Sequence, residues 1–475
     1  MPDTSALTRS ALGEFFSKEQ LIDLVLELAQ KVKQLTVRVE ELERQLRTPQ
    51  KDSTNSSNPS STDRVPKKNQ SQRQKSGKKP GGQPGHMGKT RTRNPEPDQV
   101  KEHRPIACSA CSLGFTGQED ERIAERRQVI EIPPINTVTT EHQNIAVLCP
   151  CGEENLGTFP ADVPASICFG TNLRSLVTAL KEVHHFSYER LSQHLQDLCH
   201  LSLSQGTLCS LIHRVANHIS PRYQEIKEEV RNGSTIESDE TGMRIAGKRA
   251  QLWVFRNPLT TFFHVDRSRG NKVIERFLGA LFTAAAWVSD RLGAHLMVVA
   301  HGGHQFCLAH LLRDFQFCID AFHTSWSYAC QRLLWKSIAL RRALDALTAQ
   351  GHNVWHDPPW VAWRLRAVLD LQRQWDQLFA EDRPKKNGEE CTLQRSLRKC
   401  PAAVFLFLHR QDVPPTNNGS ERDLRPEKIH QKVIGGYRSM QGAQAHATIL
   451  SVIQTARKRG ENPLDVLRNL LSEPA

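Results

Sequence analysis

The chain lacks an apolar run long enough to cross a bilayer: the stretch from Phe277 to Val288 is only the length of a core strand or helix. It also lacks an apolar signal-peptide core near its N-terminus, so the expectation is a soluble, cytoplasmic protein with no membrane partner. From Arg64 to Pro95 acidic residues are missing altogether, while ten lysines and arginines are present. The absence of compensating carboxylates makes that segment a candidate electrostatic arm for a phosphate backbone, or a merely solvated linker. What is there fits the first reading. The formal charge is +12 and the pI near 9.2, which favours a polyanionic partner, nucleic acid foremost; an acidic membrane surface would also satisfy charge alone. A length of 475 residues allows two to four domains and at least one sizeable core. The 12 cysteines, reduced in such a compartment, are better candidates for metal binding than for disulfides.

Texture divides the chain into segments. Over 1–48, Leu21, Leu28, Leu35 and Leu42 fall at d of a heptad, and Val25, Val32, Val39 and Leu46 at a. β-Branched residues at a with leucine at d predict a parallel two-stranded coiled coil, hence at least a homodimer; an amphipathic helix packed on its own domain is the alternative. Residues 49–101 are rich in Ser, Asn, Pro, Gly and Lys and read as a disordered basic linker, with Lys78, Lys79, Lys89 and Arg91 as DNA-binding candidates. In 102–165, Cys108 and Cys111 ("CSAC") and Cys149 and Cys151 ("CPC") flank the strand-like stretches "RRQVIEIPP" and "EHQNIAVLC". Two thiolate pairs suit one structural Zn²⁺ in a small finger-like domain, with His103 or His142 as possible substitutes and free structural cysteines as the alternative. Cys168, Cys199, Cys209, Cys307 and Cys318 are most simply core residues.

Residues 166–232 read as helical, with two helices about a turn near His200 to Ser204 and Ser204 as N-cap of the second. This suits a DNA-binding helix-turn-helix or a plain hairpin; His184 and His185 are taken as ordinary packing or surface residues. From Gly233 short strands begin. Asp239 is expected at a strand end before a turn at Thr241 and Gly242, and Asp290 at the exit of the buried run "LFTAAAWVSD". Carboxylates at strand ends are common turn formers, yet their repetition suits a site for hard cations. Glu421, in "TNNGSERDLRPEKI", has a capping-box spacing from Asn418. With Asp239 and Asp290 it would instead complete an all-oxygen set for two divalent ions about 4 Å apart. In that case Asn417 or Asn418 caps the helix alone, and Pro426 kinks or ends it within two turns. Arg422, Arg425, Lys428, Lys432 and Arg438 surround the segment with cations for a nucleic-acid backbone.

These motifs resemble the IS-sixty-six (IS66) family of insertion-sequence transposases. The likeness is carried by the zipper, "KKPGGQPGHMGKT", the paired cysteines, "SDETGMRIAGKRAQLWVF", "VSDRLGAH", "FCLAHLLRDF" and, most specifically, "TNNGSERDLRPEKIHQKVIGGYRSMQGAQAH". The chain departs from the family pattern at Arg291 and His295, where a glycine and an aromatic are usual, and "CSAC" lacks the glycine that often follows. The resemblance implies a multidomain α/β protein with a ribonuclease-H-like mixed sheet over 233–475 and a helical insertion at about 320–408. It implies an Asp-Asp-Glu triad of Asp239, Asp290 and Glu421 using Mg²⁺ or Mn²⁺, two ions per site, to cleave element ends and join them to target DNA. It implies that Cys108, Cys111, Cys149 and Cys151 form a zinc-finger-like DNA-binding segment, and that His310 lies in a family motif with no assigned step. Double-stranded DNA, bound at the nucleoid, and accessory proteins encoded by the same element are the implied partners. A catalytically inactive DNA-binding relic and a nuclease of the same fold are the other hypotheses.

Overall fold

The computed structural model describes residues 17–47, 85–88, 91–117, 122–160, 162–381 and 388–473. Most of the basic linker, Lys78, Lys79 and Lys89 included, therefore lies outside the described residues. The heptad segment forms one helix, α1 (Lys18–Arg47), whose Val25, Leu28, Val32, Leu35 and Val39 are all exposed. Among the described residues around the paired cysteines, one ladder forms, β1 (Ala146–Leu148) against β2 (Glu154–Leu156), besides an isolated bridge between Ala107 and Gly114. Among the described residues the stretch "RRQVIEIPP" expected as a strand joins no ladder: Val129, Ile130 and Ile132 are exposed, and the Gln128 side chain bonds the Asn94 backbone at 2.7 and 2.8 Å instead.

Four helices follow: α2 (Thr171–Glu182), α3 (Tyr188–Cys199), α4 (Gln205–His218) and α5 (Ser220–Arg231). The turn between α3 and α4 falls where expected. His200 takes the left-handed conformation at φ 53°, and the Ser204 hydroxyl accepts from Thr207 N at 3.1 Å, capping α4. Leu208, Leu211, Ile212 and Val215 turn one face of α4 into the core.

The central sheet comprises β3 (Thr235–Ile245), β4 (Lys248–Arg256), β5 (Thr261–Asp266), β7 (Ala286–Ser289) and β9 (His304–Phe306), in the order β5-β4-β3-β7-β9. β3, β4 and β5 are antiparallel; β3, β7 and β9 are parallel. The helix α6 (Asn271–Leu278), the two-residue strands β6 (Phe282–Thr283) and β8 (Val299–Ala300) and the short α7 (Gly293–Leu296) fill the connections. β3 does not turn at Thr241 and Gly242. Ala246 and Gly247, both at positive φ, supply a two-residue hairpin turn, so the ladder runs on past Asp239 to Ile245.

Period-2 alternation divides the sheet between cores. Trp253, Phe255 and Trp287 face a core built with α2 to α6, whereas Leu252 and Val254 face another. That second core includes Leu424 of α13 (Asn418–Ile434) and Ala443, Ala447 and Leu450 of α14 (Met440–Lys458). The α15 helix (Pro463–Ser472) joins the first core through Leu467 and Leu471. Between β9 and α13 come α8 (Leu308–Phe322), α9 (Ser325–Ala349), α10 (Pro358–Phe379), α11 (Gly388–Lys399), a 3-10 turn and α12 (Leu406–His409). They enclose their own apolar core, which reaches the sheet through Ala286, Val288 and Phe306. Of the cysteines expected in cores, Cys199, Cys307 and Cys318 are buried, Cys209 is half-buried and Cys168 is exposed.

Candidate active site

Three elements deliver the acids. Asp239 stands in the middle of β3, Asp290 directly follows β7, its parallel neighbour, and Glu421 sits in the first turn of α13. Because successive strand residues point to opposite faces, Asp239 and Glu240 diverge. Glu240 goes to the Trp253 side, where it pairs with Arg269 at 2.7 Å and approaches His295 Nε2 at 3.5 Å. The cationic field of His310 acts on Asp239 but offsets burial and the acidic neighbours only in part. The Asp239 carboxyl is pushed up to about 7, first by burial and then by the negative fields of Glu240, Asp290 and Glu421. Asp239 on β3 and Asp290 just after β7 follow paired parallel strands, and the start of α13, which carries Glu421, is bonded to Ser238 beside Asp239.

Each acid is oriented from behind. Asp290 Oδ1 accepts from Leu292 N at 2.9 Å and lies 3.8 Å from His295 Nε2. His295 is fully buried, with its ring 5.7 Å from that of Trp253 and 6.0 Å from that of Trp287; it packs as the aromatic residue usual at this position would. Burial acts to lower its pKa, but Glu240, Asp290 and Asp239 raise it overall. Arg291 turns aside to pair with Asp314. Glu421 Oε1 lies 3.4 Å from Arg313 Nη2 and 3.7 Å from His310 Nε2, both from α8. Despite burial, Cys307 and Asp290 hold His310 up at about 9.

The capping box does not form. Asn417 is the N-cap residue but its side chain caps nothing; Nδ2 instead donates to the Ser238 carbonyl at 2.7 Å, and its backbone N donates to Cys307 Sγ at 3.1 Å. The helix start is thereby tied to β3 one residue before Asp239. Gly419 allows this closeness, because a Cβ there would run into the Arg256 guanidinium and the Glu237 carboxylate. Arg256 in turn pairs with Glu237 and with Asp423 Oδ2 at 2.9 Å. Pro426 neither ends nor shortens α13, which continues to Ile434. The loss of one helical bond is offset by packing of Leu424 and by the polar contacts of Glu427 and His430 described next. Arg422, Arg425, Lys428 and Lys432 lie exposed along α13, with Arg438 exposed beyond it. Positions 421, 425, 428 and 432 share a face, so the cations form a ridge leading away from Glu421. Arg91 is also exposed.

A second polar cluster was not read from the sequence. Buried His446 of α14 bonds through Nδ1 to Glu182 of α2, and its Nε2 lies 2.8 Å from Glu427 Oε2 of α13. Burial disfavours the imidazolium, but the two carboxylates hold it at about 9; Glu182, despite burial, is pulled down to about 2, chiefly by His446. Tyr437 Oη and Gln431 Nε2 donate to Glu427 at 3.0 and 2.7 Å. His430 stacks on His446 with centroids 4.5 Å apart, and its Nδ1 lies 3.3 Å from Nδ1 of half-buried His185, which packs here rather than lying on the surface. Glu182, His430 and His446 each offer a ligand atom within 4.8 Å of the others and so could hold a metal; they are the only such group among the described residues. Asp239, Asp290 and Glu421 do not form such a group.

The four cysteines close as two separate knuckles. In the first, Ser112 N donates to the Cys108 carbonyl at 2.9 Å; in the second, Gly152 N donates to that of Cys149 at 2.8 Å. Backbone N–H groups, then the neighbouring thiol, lower the Cys108 and Cys151 pKa values. No three of these sulfurs come within 4.8 Å of one another.

A family profile described as "Transposase IS66 family" matches residues 166–445, more than half of the chain. A second, described as a family of unknown function (DUF6444), matches residues 5–92. Among curated proteins there is no match. No helix among the described residues is long and apolar enough to cross a membrane.

Proposed function

The chain belongs to the IS66 family of transposases, and on that premise we propose that it cleaves the ends of a mobile DNA element and joins them to target DNA through Asp239, Asp290 and Glu421. One observation carries this reading: acids from β3, from the end of β7 and from α13 act on one another strongly enough that Asp239, despite the cationic field of His310, is pushed up to about 7. The five-stranded order, three antiparallel strands continued by two parallel ones, supports a ribonuclease-H-like catalytic sheet. Membership of the family implies divalent metal use.

The donor set fits hard cations, since three carboxylates with no thiolate or imidazole among them suit Mg²⁺ or Mn²⁺. Two such ions, when bound, would activate water or a 3′-hydroxyl and stabilise the leaving oxygen of a phosphodiester. The chain's own residues do the positioning. Asn417 holds the start of α13 against β3, while Arg313 and His310 steady the Glu421 carboxylate. Leu292 N and His295 fix Asp290. Arg422, Arg425, Lys428, Lys432 and Arg438 are assigned to the DNA backbone, with Lys78, Lys79, Lys89 and Arg91 as a second contact. Cys108, Cys111, Cys149 and Cys151 are assigned to one structural zinc in a DNA-binding domain. Backbone bonds that favour the thiolates of Cys108 and Cys151 support this, and binding would draw the two knuckles together. The exposed a and d residues of α1 suit a second copy of the chain.

The test is a strand-cleavage and joining assay on DNA carrying the element's own ends, in Mg²⁺, Mn²⁺ and chelator. The expected result is metal-dependent 3′-end cleavage and joining of pre-cleaved ends, both lost in Asp239→Asn. Hydrolysis without joining would instead make the protein a nuclease, and activity persisting in the variant would overturn the triad.

A further inference from the structure

The helical segment between Asp290 and Glu421 contains a cavity of about 460 Å³ lined by Trp355, Arg364, His409, Arg410 and Asp412 among others. Trp355 and Arg364 are only 7% and 6% exposed. The Arg364 guanidinium lies 4.4 Å over the Trp355 ring, and that of Arg341 lies 5.2 Å from the same ring. These two arginines differ sharply in their other partners. Arg341 donates to the carbonyls of Phe407, Gln411 and Val413 and to Asp345, each at 2.7 to 2.8 Å. Arg364 Nε and Nη1, by contrast, are buried with no acceptor, as is Trp355 Nε1.

All three unmatched atoms are obligate donors, so what would satisfy them is an acceptor. A buried cation without a counter-charge is costly, and the acceptor that best offsets it is an anion. The carboxylate that lines the cavity, Asp412, is already engaged. Asp412 is taken by Arg410 at 2.6 Å and by the Thr235 hydroxyl at 2.8 Å, which leaves Arg364 as the uncompensated charge. The His409 imidazole is held neutral by burial and by Arg364, and Gln372 Nε2 lies 3.3 Å from its Nε2. A guanidinium on an aromatic face, with one net positive charge and room for more than an ion, matches a phosphate group carrying a sugar.

We propose that this cavity is a phosphate-binding site in which Arg364, set on Trp355, receives a phosphate mono- or diester. The place is suited to a nucleic-acid substrate. Asp412 is bonded to Thr235 at the start of β3, four residues and so about 13 Å along the strand from Asp239. The proposal itself rests on the unmatched donors and not on the carboxylate triad.

Thermal unfolding of the full chain with inorganic phosphate, a 5′-mononucleotide or a short DNA duplex, each against chloride at equal ionic strength, tests it. Phosphate is expected to raise the midpoint of the wild type, and Arg364→Gln to weaken the fitted affinity at least about 10-fold. Trp355→Phe, which keeps the ring and removes the donor, is expected to weaken it less and serves if Arg364→Gln does not fold. Competition of phosphate by the duplex identifies a backbone phosphate as occupant; competition by the mononucleotide alone identifies a free nucleotide. Wild-type midpoints unmoved by all three probes, or equal shifts in wild type and both variants, would overturn the proposal.

Discussion

Helix α13 carries residues of two polar clusters. In its first turn Glu421 joins Asp239 and Asp290; within the next three turns Glu427 and His430 join Glu182 and His446. The residue types overlap, yet the balance of charge is opposite. At the sheet, acids face one another and Asp239 is pushed up to about 7; at the junction of α2, α13 and α14, an imidazolium sits between two carboxylates and Glu182 is pulled down to about 2. Acids that raise one another's pKa mark a place suited to added cations, whereas an imidazolium already set between the carboxylates marks a clasp.

Substitution should expose the difference most strongly. Asp239→Asn and Glu421→Gln are each expected to lower DNA cleavage by about 10³-fold or more, and Asp239→Asn to leave the unfolding midpoint level or slightly higher, since it removes repulsion; assay and melt are run on the same preparation. His446→Gln should do the reverse to the fold. It leaves Glu182 and Glu427 buried without their counter-charge, a loss of about 3 kcal/mol or more in denaturant unfolding. Equal destabilisation by both variants would erase the distinction drawn here.

Acidity sharpens it further. The folded pKa of His446, about 9 against 6.5 in the unfolded chain, gives stability fully present below pH 6.5 and lost as pH rises through 9. Glu182, about 2 against 4.5, gives stability present above pH 4.5 and lost as pH falls through 2. Midpoints followed from pH 6 to 10 should therefore decline in the wild type and run flatter in His446→Gln. Gly419→Ala, between the clusters, should cost about 1 to 3 kcal/mol through the overlap with Arg256. The smallest effect belongs to the ridge: Arg425→Ala or Lys428→Ala should weaken DNA binding uniformly across sequences and reduce the salt slope by about 1.

The sequence made the acid cluster legible and the clasp invisible, for a physical reason. Asp290 stands out as an acid just after a strongly apolar run, Asp239 falls in a strand-like stretch, and Glu421 stands in a distinctive motif. Glu182 and His446 are 264 residues apart, and nothing in the neighbourhood of either announces the other. His185 stayed open between packing and surface because its partner, His430, is likewise remote. Local rules also failed where tertiary contacts outbid them. The capping box lost to the bond from Asn417 to the Ser238 carbonyl, and the break expected at Pro426 lost to packing on either side of it. The turn expected after Asp239 comes instead at Ala246 and Gly247, both of which adopt positive φ.

The bond from Asn417 to β3 has a rotational meaning. An α-helix advances about 100° per residue, so the residue that is pinned sets the azimuth of every residue after it. With Asn417 held against Ser238, Glu421 comes round to Arg313 and His310. Deleting one residue between Asn417 and Glu421 would preserve every functional group and still swing the carboxylate about a quarter of a turn off the site. That short stretch is thus an indexing stop, and its length matters as much as its chemistry.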